Sequence, residues 1–337
     1  MTLYQTQWLF LLLYTIITTH RGDYVMAFIQ WTLQMPRTST SSLPAHLITF
    51  DLDDTLFPVG PVIQYANKAL FDHLGKLGYS IDEADFLMST KHIRTTLAEE
   101  GIFITYSELR MQAIRREMEK QSPMSIIDQE LVEEAYQVWE HHRHIGAELY
   151  LYHDTCDMLQ QLKDDFNNVV IGAITNGKGN PLKMNSLSKY FDFCVSGEDK
   201  HVFPLRKPHE GIYKAALDEF TNIQMSKGID ICNDYIWIHV GDDLANDVGA
   251  SAQAGAFAIW ADLDAEYAQT ASKRTTGASF QNQPAWSTAT PKELNERKKL
   301  DEAAKQQVSA TIRRLIDIPS TVKGISLEYS QDTKLSE

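Results

Sequence analysis

The sequence predicts an α/β fold that carries a large helical insertion. Three observations predict it. Strand-like runs rich in β-branched and aromatic residues, at 46–50, 168–174 and 235–240, each stop abruptly at acidic or small polar residues. From about residue 150 onward such runs alternate with amphipathic helical text, the pattern of strands laid between helices. Between the first run and residue 150 the text is almost entirely helical, so a block of helices interrupts the alternation.

The chain has 337 residues, enough for about two domains and a sizeable core. Its formal net charge of −14 repels nucleic acid and anionic lipid, so neither is an expected partner. An acidic protein still binds phosphorylated small molecules where a metal and local cations reverse the sign. Cys156, Cys194 and Cys232 have no paired or metal-type spacing and read as small core residues.

Residues 1–44 stand apart from the fold. Trp8–Ile17 is an apolar run of about ten residues, short for a bilayer span but of signal-peptide length. Val25-Met26-Ala27 offers a cleavage site, yet no Lys or Arg precedes the run. Pro36–Ser42 is free of acids and rich in hydroxyls, as in transit segments and disordered linkers alike. The expectation is organelle or secretory-route targeting, or a cytoplasmic protein if translation starts at Met26 or Met35.

His46–Phe50 reads as a buried strand, and Asp51, Asp53 and Asp54 follow it directly. Acids belong at the carboxyl end of such a strand, where open α/β sheets place ligands. Paired carboxylates and a following Thr suit divalent-metal binding, nucleophilic attack and proton transfer, although Asp-Asp-Thr is also ordinary turn chemistry. Phe57–Pro61 reads as a turn. Ile63, Ala66, Leu70, Phe71 and Leu74 recur at helical spacing, closed by Gly75 and Gly78; Ser107–Lys120 and Asp128–His144 are further helices. His141-His142-Arg143-His144 reads as a polar helix end, because adjacent helical positions point apart and no partner ligand is near. Lys91, His92 and Arg94 read as a solvated helix face, with substrate contact as the sharper alternative.

Asp154 is placed to cap a helix to Lys163. The run 168–174 ends in Thr175-Asn176-Gly177, whose side-chain and backbone donors suit an anion, though Asn-Gly is also a turn dipeptide. Phe191–Ser196 is a shorter strand. Lys207 precedes Pro208 on extended or turning backbone, before a helix from Glu210 to Phe220. Tyr235–Val240 ends in a second acidic cluster, with Asp242, Asp243 and Asp247. A short small-residue helix (248–254) and a strand (256–260) follow. Residues 262–290 are polar and irregular, Glu293–Ile316 reads as a charged helix with a docking face, and residues after Pro319 read as a loose tail.

Four strand ends therefore carry paired carboxylates, Thr-Asn, a Lys and a second carboxylate cluster. Together they point to a phosphate-and-metal site, in which hard oxygen ligands and fixed cations offset the charge of a phosphoryl group approaching a carboxylate.

Asp51-Leu52-Asp53-Asp54-Thr55-Leu56, Ile174-Thr175-Asn176-Gly177, Arg206-Lys207-Pro208 and Gly241-Asp242-Asp243 with Asn246-Asp247 resemble the haloacid dehalogenase-like hydrolase superfamily, in the subgroup with a helical cap inserted after the first motif. The resemblance covers about residues 46–320. It implies a Rossmann-like parallel sheet core in a three-layer α/β/α arrangement, built from 45–60 and 150–320, with an inserted α-helical cap over 61–149 and a tail at 321–337. The polar segment 262–306 is longer than the resemblance leads one to expect. By the same resemblance Asp51 attacks phosphorus, Asp53 is acid and then base, and Lys207 neutralises charge. Thr175 and the backbone near Asn176 hold phosphoryl oxygens. Asp51, the Asp53 carbonyl and Asp242 hold Mg²⁺, and Asp247 orders Lys207 or a metal-bound water.

The expected activity is Mg²⁺-dependent hydrolysis of a small phosphorylated metabolite, such as a sugar phosphate, phosphoglycolate or a nucleotide, through an aspartyl-phosphate. A hexose-phosphate phosphomutase and a non-catalytic binding module are the alternatives. Asp53 argues against dehalogenation, since relatives that break carbon–halogen bonds lack that second Asp.

Overall fold

A computed structural model of the chain describes residues 45–124, 126–229, 235–269 and 291–336. The leader at 1–44, Cys232 and most of the polar stretch after Asp262 lie outside the described residues.

Six strands, β1 (Ala45–Phe50), β2 (Val170–Thr175), β3 (Phe193–Ser196), β4 (Tyr235–Gly241), β5 (Phe257–Ala261) and β6 (Val308–Ile312), form one sheet in the order β3-β2-β1-β4-β5-β6. Every pairing is parallel. Parallel strands are covered on both faces, which is why these runs are apolar throughout instead of alternating. Ile48, Phe50, Ile171, Ile238 and Val240 face one layer. Leu47, Val170, Ile174 and Trp237 face the other. The first layer is closed by α5 (Thr155–Asp165), through Met158 and Leu162, and by α9 (Ile318–Ser336), through Val322 and Ile325. The second is closed by α6 (Glu210–Ser226), through Ile212, Tyr213 and Phe220, and by Ala250 of the short α7 (Ala250–Gln253). The result is a three-layer, Rossmann-like α/β fold. The strand order reverses at β1, so β2, β1 and β4 present their carboxyl ends side by side at the switch point.

Four helices intervene between β1 and α5: α1 (Val59–Lys76), α2 (Glu83–Glu99), α3 (Tyr106–Gln121) and α4 (Gln129–Leu149). They enclose an apolar cluster of their own, in which Ala66, Leu70 and Leu74 of α1 repeat at i, i+4, i+8 and meet Phe86, Ile114, Met118 and Trp139. Their starts are written locally. Asp82 accepts from Ala84 and Asp85 N–H, Thr105 and Glu108 form a capping box, and Asp128 accepts from Glu130 N–H. Among the described residues, no helix is long and apolar enough to cross a membrane.

The structure departs from the sequence reading in several places. The turn expected over 57–61 is cut short because α1 begins at Val59, whose N–H donates to Asp54 Oδ1. Pro61 fits because a first-turn residue needs no N–H partner. Asp154 sits at the start of α5, but its Oδ2 accepts from Tyr267 O–H (2.7 Å) and Ile316 N–H (3.0 Å) instead of capping the helix. The helix expected over 293–316 is in fact α8 (Pro291–Ala304) followed by strand β6. Val308 and Ile312 share a face in a strand as well as in a helix, so their spacing did not discriminate; the open edge of β5 did. The tail expected at 321–337 is helix α9 as far as Ser336, with Ile318, Val322 and Ile325 buried at helical spacing. Pro319 stands in its first turn, where proline is tolerated, so it does not end the structure. Finally, Arg143 and His144 are buried on α4, which runs on to Leu149, and do not form a polar helix end.

Candidate active site

Asp51 leaves β1 while its N–H still bonds the carbonyl of Val240, so the carboxylate is fixed at the sheet's edge. Lys207 arrives from the loop before α6. Its Nζ donates to Asp51 Oδ1 (2.5 Å), Asp247 Oδ1 (2.7 Å) and the Ile174 carbonyl (2.8 Å), which uses all three ammonium donors. Lys207 is 5% exposed, Asp51 7% and Asp247 1%, so this is a buried ion cluster.

Asn176 explains how the lysine is held. Its side-chain amide donates to the Lys207 carbonyl (3.0 Å) and accepts from the Lys207 N–H (2.7 Å), so the end of β2 grips the lysine's backbone. Thr175 is buried and its Oγ1 accepts from Gly177 N–H (3.2 Å). Thr55 ties the two acidic clusters together. Its Oγ1 lies 3.3 Å from Asp51 Oδ2 and 3.4 Å from Asp242 Oδ1, and accepts from Asp242 N–H (3.1 Å). Asp247 Oδ2 accepts from Asp243 N–H (3.0 Å). Glycine is required at 241, where a Cβ would stand 2.4 Å from the Asp247 side chain.

Burial and the nearby Asp247 push the Asp51 carboxyl up, to about 7, against the pull of Lys207. Burial alone would lower Lys207, but Asp247 and Asp51 more than offset this and hold it above an ordinary lysine. Asp247 is held below the usual carboxylate range; burial opposes this, and Lys207 and His239 outweigh it.

Asp53 is more open, with its side chain 28% exposed. Both of its oxygens accept from Nη2 of Arg143, at 2.8 Å each. Sequence reasoning missed Arg143, and no local signal marks it, because its partner is 90 residues away. It also missed a buried polar chain behind Asp247. Trp237 Nε1 donates to Thr49 Oγ1 (2.9 Å), Thr49 lies 2.8 Å from His239 Nδ1, and His239 Nε2 lies 3.5 Å from Asp247 Oδ1. A hydroxyl and an imidazole inside otherwise apolar strands were the available signal. Asp243 ion-pairs with Arg297 of α8 and accepts from Ala245 and Asn246 N–H, which stiffens the second acidic loop. Lys91 and His92 lie exposed on α2.

Single carboxylate oxygens of Asp51, Asp242 and Asp247 lie within 4.8 Å of one another. A converging set of hard oxygen donors, with no thiol or imidazole among the three, fits a small divalent cation.

The family model described as haloacid dehalogenase-like hydrolase matches residues 45–255. The 5-amino-6-(5-phospho-D-ribitylamino)uracil phosphatase YigB of Escherichia coli (strain K12) is 26% identical over 221 residues, covering 63% of this chain and 82% of its own. Among solved structures, a 2-haloacid dehalogenase from Pseudomonas syringae pv. Tomato DC3000 has a TM-score of 0.52 at 23% identity, over 83% of this chain and 98% of that one, a likeness of fold. With three motifs at the adjacent ends of β2, β1 and β4, Lys207 reaching them from a loop, and the family model spanning most of the chain, this protein belongs to the haloacid dehalogenase-like hydrolases.

Proposed function

We infer that the chain is a phosphatase that hydrolyses a small phosphorylated metabolite through an aspartyl-phosphate on Asp51. The observation that carries this reading is the pairing of two differently held carboxylates. Asp51 is clamped by Lys207 and Thr55 with little freedom, as a nucleophile requires, whereas Asp53 is partly open beside it. A halide leaves without a proton, but the alkoxide of a phosphate ester needs one, and in this reading the partly open Asp53 gives it. The phosphatase among the relatives supports the same reading, and the polyol phosphate in its name places that class among the substrates to try.

In the proposed reaction an Asp51 oxygen bonds phosphorus as the bond to the leaving oxygen breaks, and Asp53 passes its proton to that oxygen. Asp53 then takes a proton from water, whose oxygen bonds phosphorus as the Asp51–phosphoryl bond breaks, releasing phosphate. Thr175 and the backbone at Asn176–Gly177 hold the phosphoryl oxygens, and Lys207 offsets the charge gathered between Asp51 and the phosphoryl group. Asp51, Asp242 and the carbonyl of Asp53, with Asp247 behind them, would hold Mg²⁺, which supplies further charge neutralisation at the phosphoryl oxygens. The four inserted helices act as the cap that closes over the leaving group.

The test is phosphate release by the full chain from an aryl phosphate and a panel of sugar, polyol and nucleoside phosphates and phosphoglycolate, with Mg²⁺ and with chelator. Asp51→Asn is the control. The expected result is metal-dependent release reduced by about a thousandfold or more in the variant, which keeps its fold because the replacement is nearly isosteric. Release that persists in Asp51→Asn defeats the covalent mechanism. No release from any compound defeats the phosphatase reading and turns attention to phosphomutase activity.

A further inference from the structure

We propose that Arg143 is a positioning residue through which the inserted helices set the orientation of Asp53 for proton transfer. This rests on the phosphatase reading above and adds to it the question of how its acid is held.

Asp51 is oriented by groups of the α/β core, Lys207 and Thr55. Asp53 is not. Among the described residues, Arg143 supplies the hydrogen bonds to its carboxylate, one Nη2 spanning both oxygens at 2.8 Å. The exposures of the two side chains are unequal, 3% for the guanidinium and 28% for the carboxylate. The cation is therefore behind the carboxylate, and the carboxylate's remaining surface is open. A single nitrogen shared between two oxygens uses one lone-pair direction on each and leaves another, so the carboxyl is aimed without being sealed.

The alternative is that the pair merely ties α4 to the core. That task already has other occupants. Glu140 of α4 meets Lys183 (3.2 Å), and Glu148 of α4 accepts from the N–H and hydroxyl of Ser186 (2.7 and 3.0 Å). Arg143 is also poorly used as a tie, since its buried Nη1 has no hydrogen-bond partner among the described residues. The backbone makes room for it nonetheless: a Cβ at Gly179 would stand 2.6 Å from Nη1. The approach of the guanidinium to this one carboxylate thus depends on glycine in the loop that follows the phosphoryl-binding strand end.

The test separates positioning from tying by leaving group. An aryl phosphate departs with little need of a proton and an alkyl phosphate does not. The full chain, Arg143→Ala, Asp53→Asn and the double variant are compared on p-nitrophenyl phosphate and on glycerol phosphate with Mg²⁺. If Arg143 positions the acid, its removal lowers kcat/KM for the alkyl ester about tenfold or more beyond its effect on the aryl ester, and does nothing further in the Asp53→Asn background. Equal losses on both esters, or losses that multiply in the double variant, overturn the proposal alone. An inactive wild-type chain overturns it together with the phosphatase reading. Should Arg143→Ala fail to fold, Gly179→Ala keeps the charge and crowds the guanidinium; the same ester-selective loss is expected, and a uniform loss overturns the proposal.

Discussion

Lys207 and Arg143 bring the same charge to the same site and are buried to a similar extent, 5% and 2% exposed. Lys207 belongs to the α/β core, where three oxygen partners use every donor it has. Arg143 belongs to the inserted helices, where one nitrogen serves Asp53 and another is buried without a hydrogen-bond partner among the described residues. The difference follows from how each region is built. Parallel strands in register converge on one edge, so their trailing residues meet as a group and satisfy one another. A helix crossing from a separate apolar cluster reaches that edge with a single long side chain and inherits no such company. The buried ion cluster of Asp51, Lys207 and Asp247 is thus held within the core's own layers, and the insertion reaches the neighbouring Asp53 through Arg143.

The sharpest way to break this comparison is Lys207→Ala. Removing the cation leaves Asp51 and Asp247 facing each other in a buried site, which costs about 3–5 kcal/mol. Denaturant unfolding in chelator should show that loss, and phosphate release assayed separately with Mg²⁺ should disappear. A stability within about 1 kcal/mol of wild type would mean that water or local rearrangement replaces the lysine.

Leu70→Ala tests the other region. The residue is fully buried in the insertion's apolar cluster, so about 2–5 kcal/mol should be lost. If the insertion stands on its own cluster, hydrogen exchange should speed within residues 59–149 and leave the strand amides of β1 and β4 protected. Acceleration spread evenly over both regions would show that they unfold as one unit.

The smallest effect concerns two buried histidines, one per region. Burial lowers both His144 of α4 and His239 of β4 below the ordinary 6.5. A histidine depressed in the folded state contributes stability that is present above its unfolded pKa and lost as pH falls through the folded one. The histidine contribution should therefore decline as the pH drops below about 6.5, while the raised Asp51 carboxyl works in the opposite sense over the same range. His144→Gln and His239→Asn should each flatten part of that decline, measured as unfolding midpoints at pH 7 and pH 5. An unchanged slope in both variants would assign the acid sensitivity to other groups.

Much of the core was legible because its signals are local. An apolar run that stops at Asp51 or Asp242 marks a strand and its end in the same few residues, and Thr175 and Asn176 stand at such an end; Lys207 lies instead in the long loop between β3 and α6. Asn176 was legible as a residue but not as a contact, since only the folded chain shows its amide gripping the backbone of Lys207. The carboxyl-terminal region was misread for a related reason. Val308–Ile312 is a strand because β5 offers it an edge, and that edge is absent from any window of the sequence.

The sequence by itself determined that strands and helices alternate around strand-end acids, a Thr-Asn pair and a lysine, because hydrophobic period and turn chemistry are properties of neighbours along the chain. Tertiary structure alone decided that Lys207 lies between Asp51 and Asp247, that Thr49 and His239 stand behind Asp247, and that Arg143 meets Asp53. These contacts join residues far apart in sequence, with the exception of His239 and Asp247. Each is set by how the layers pack, since a buried charge or polar group is stable only where the fold brings it a partner.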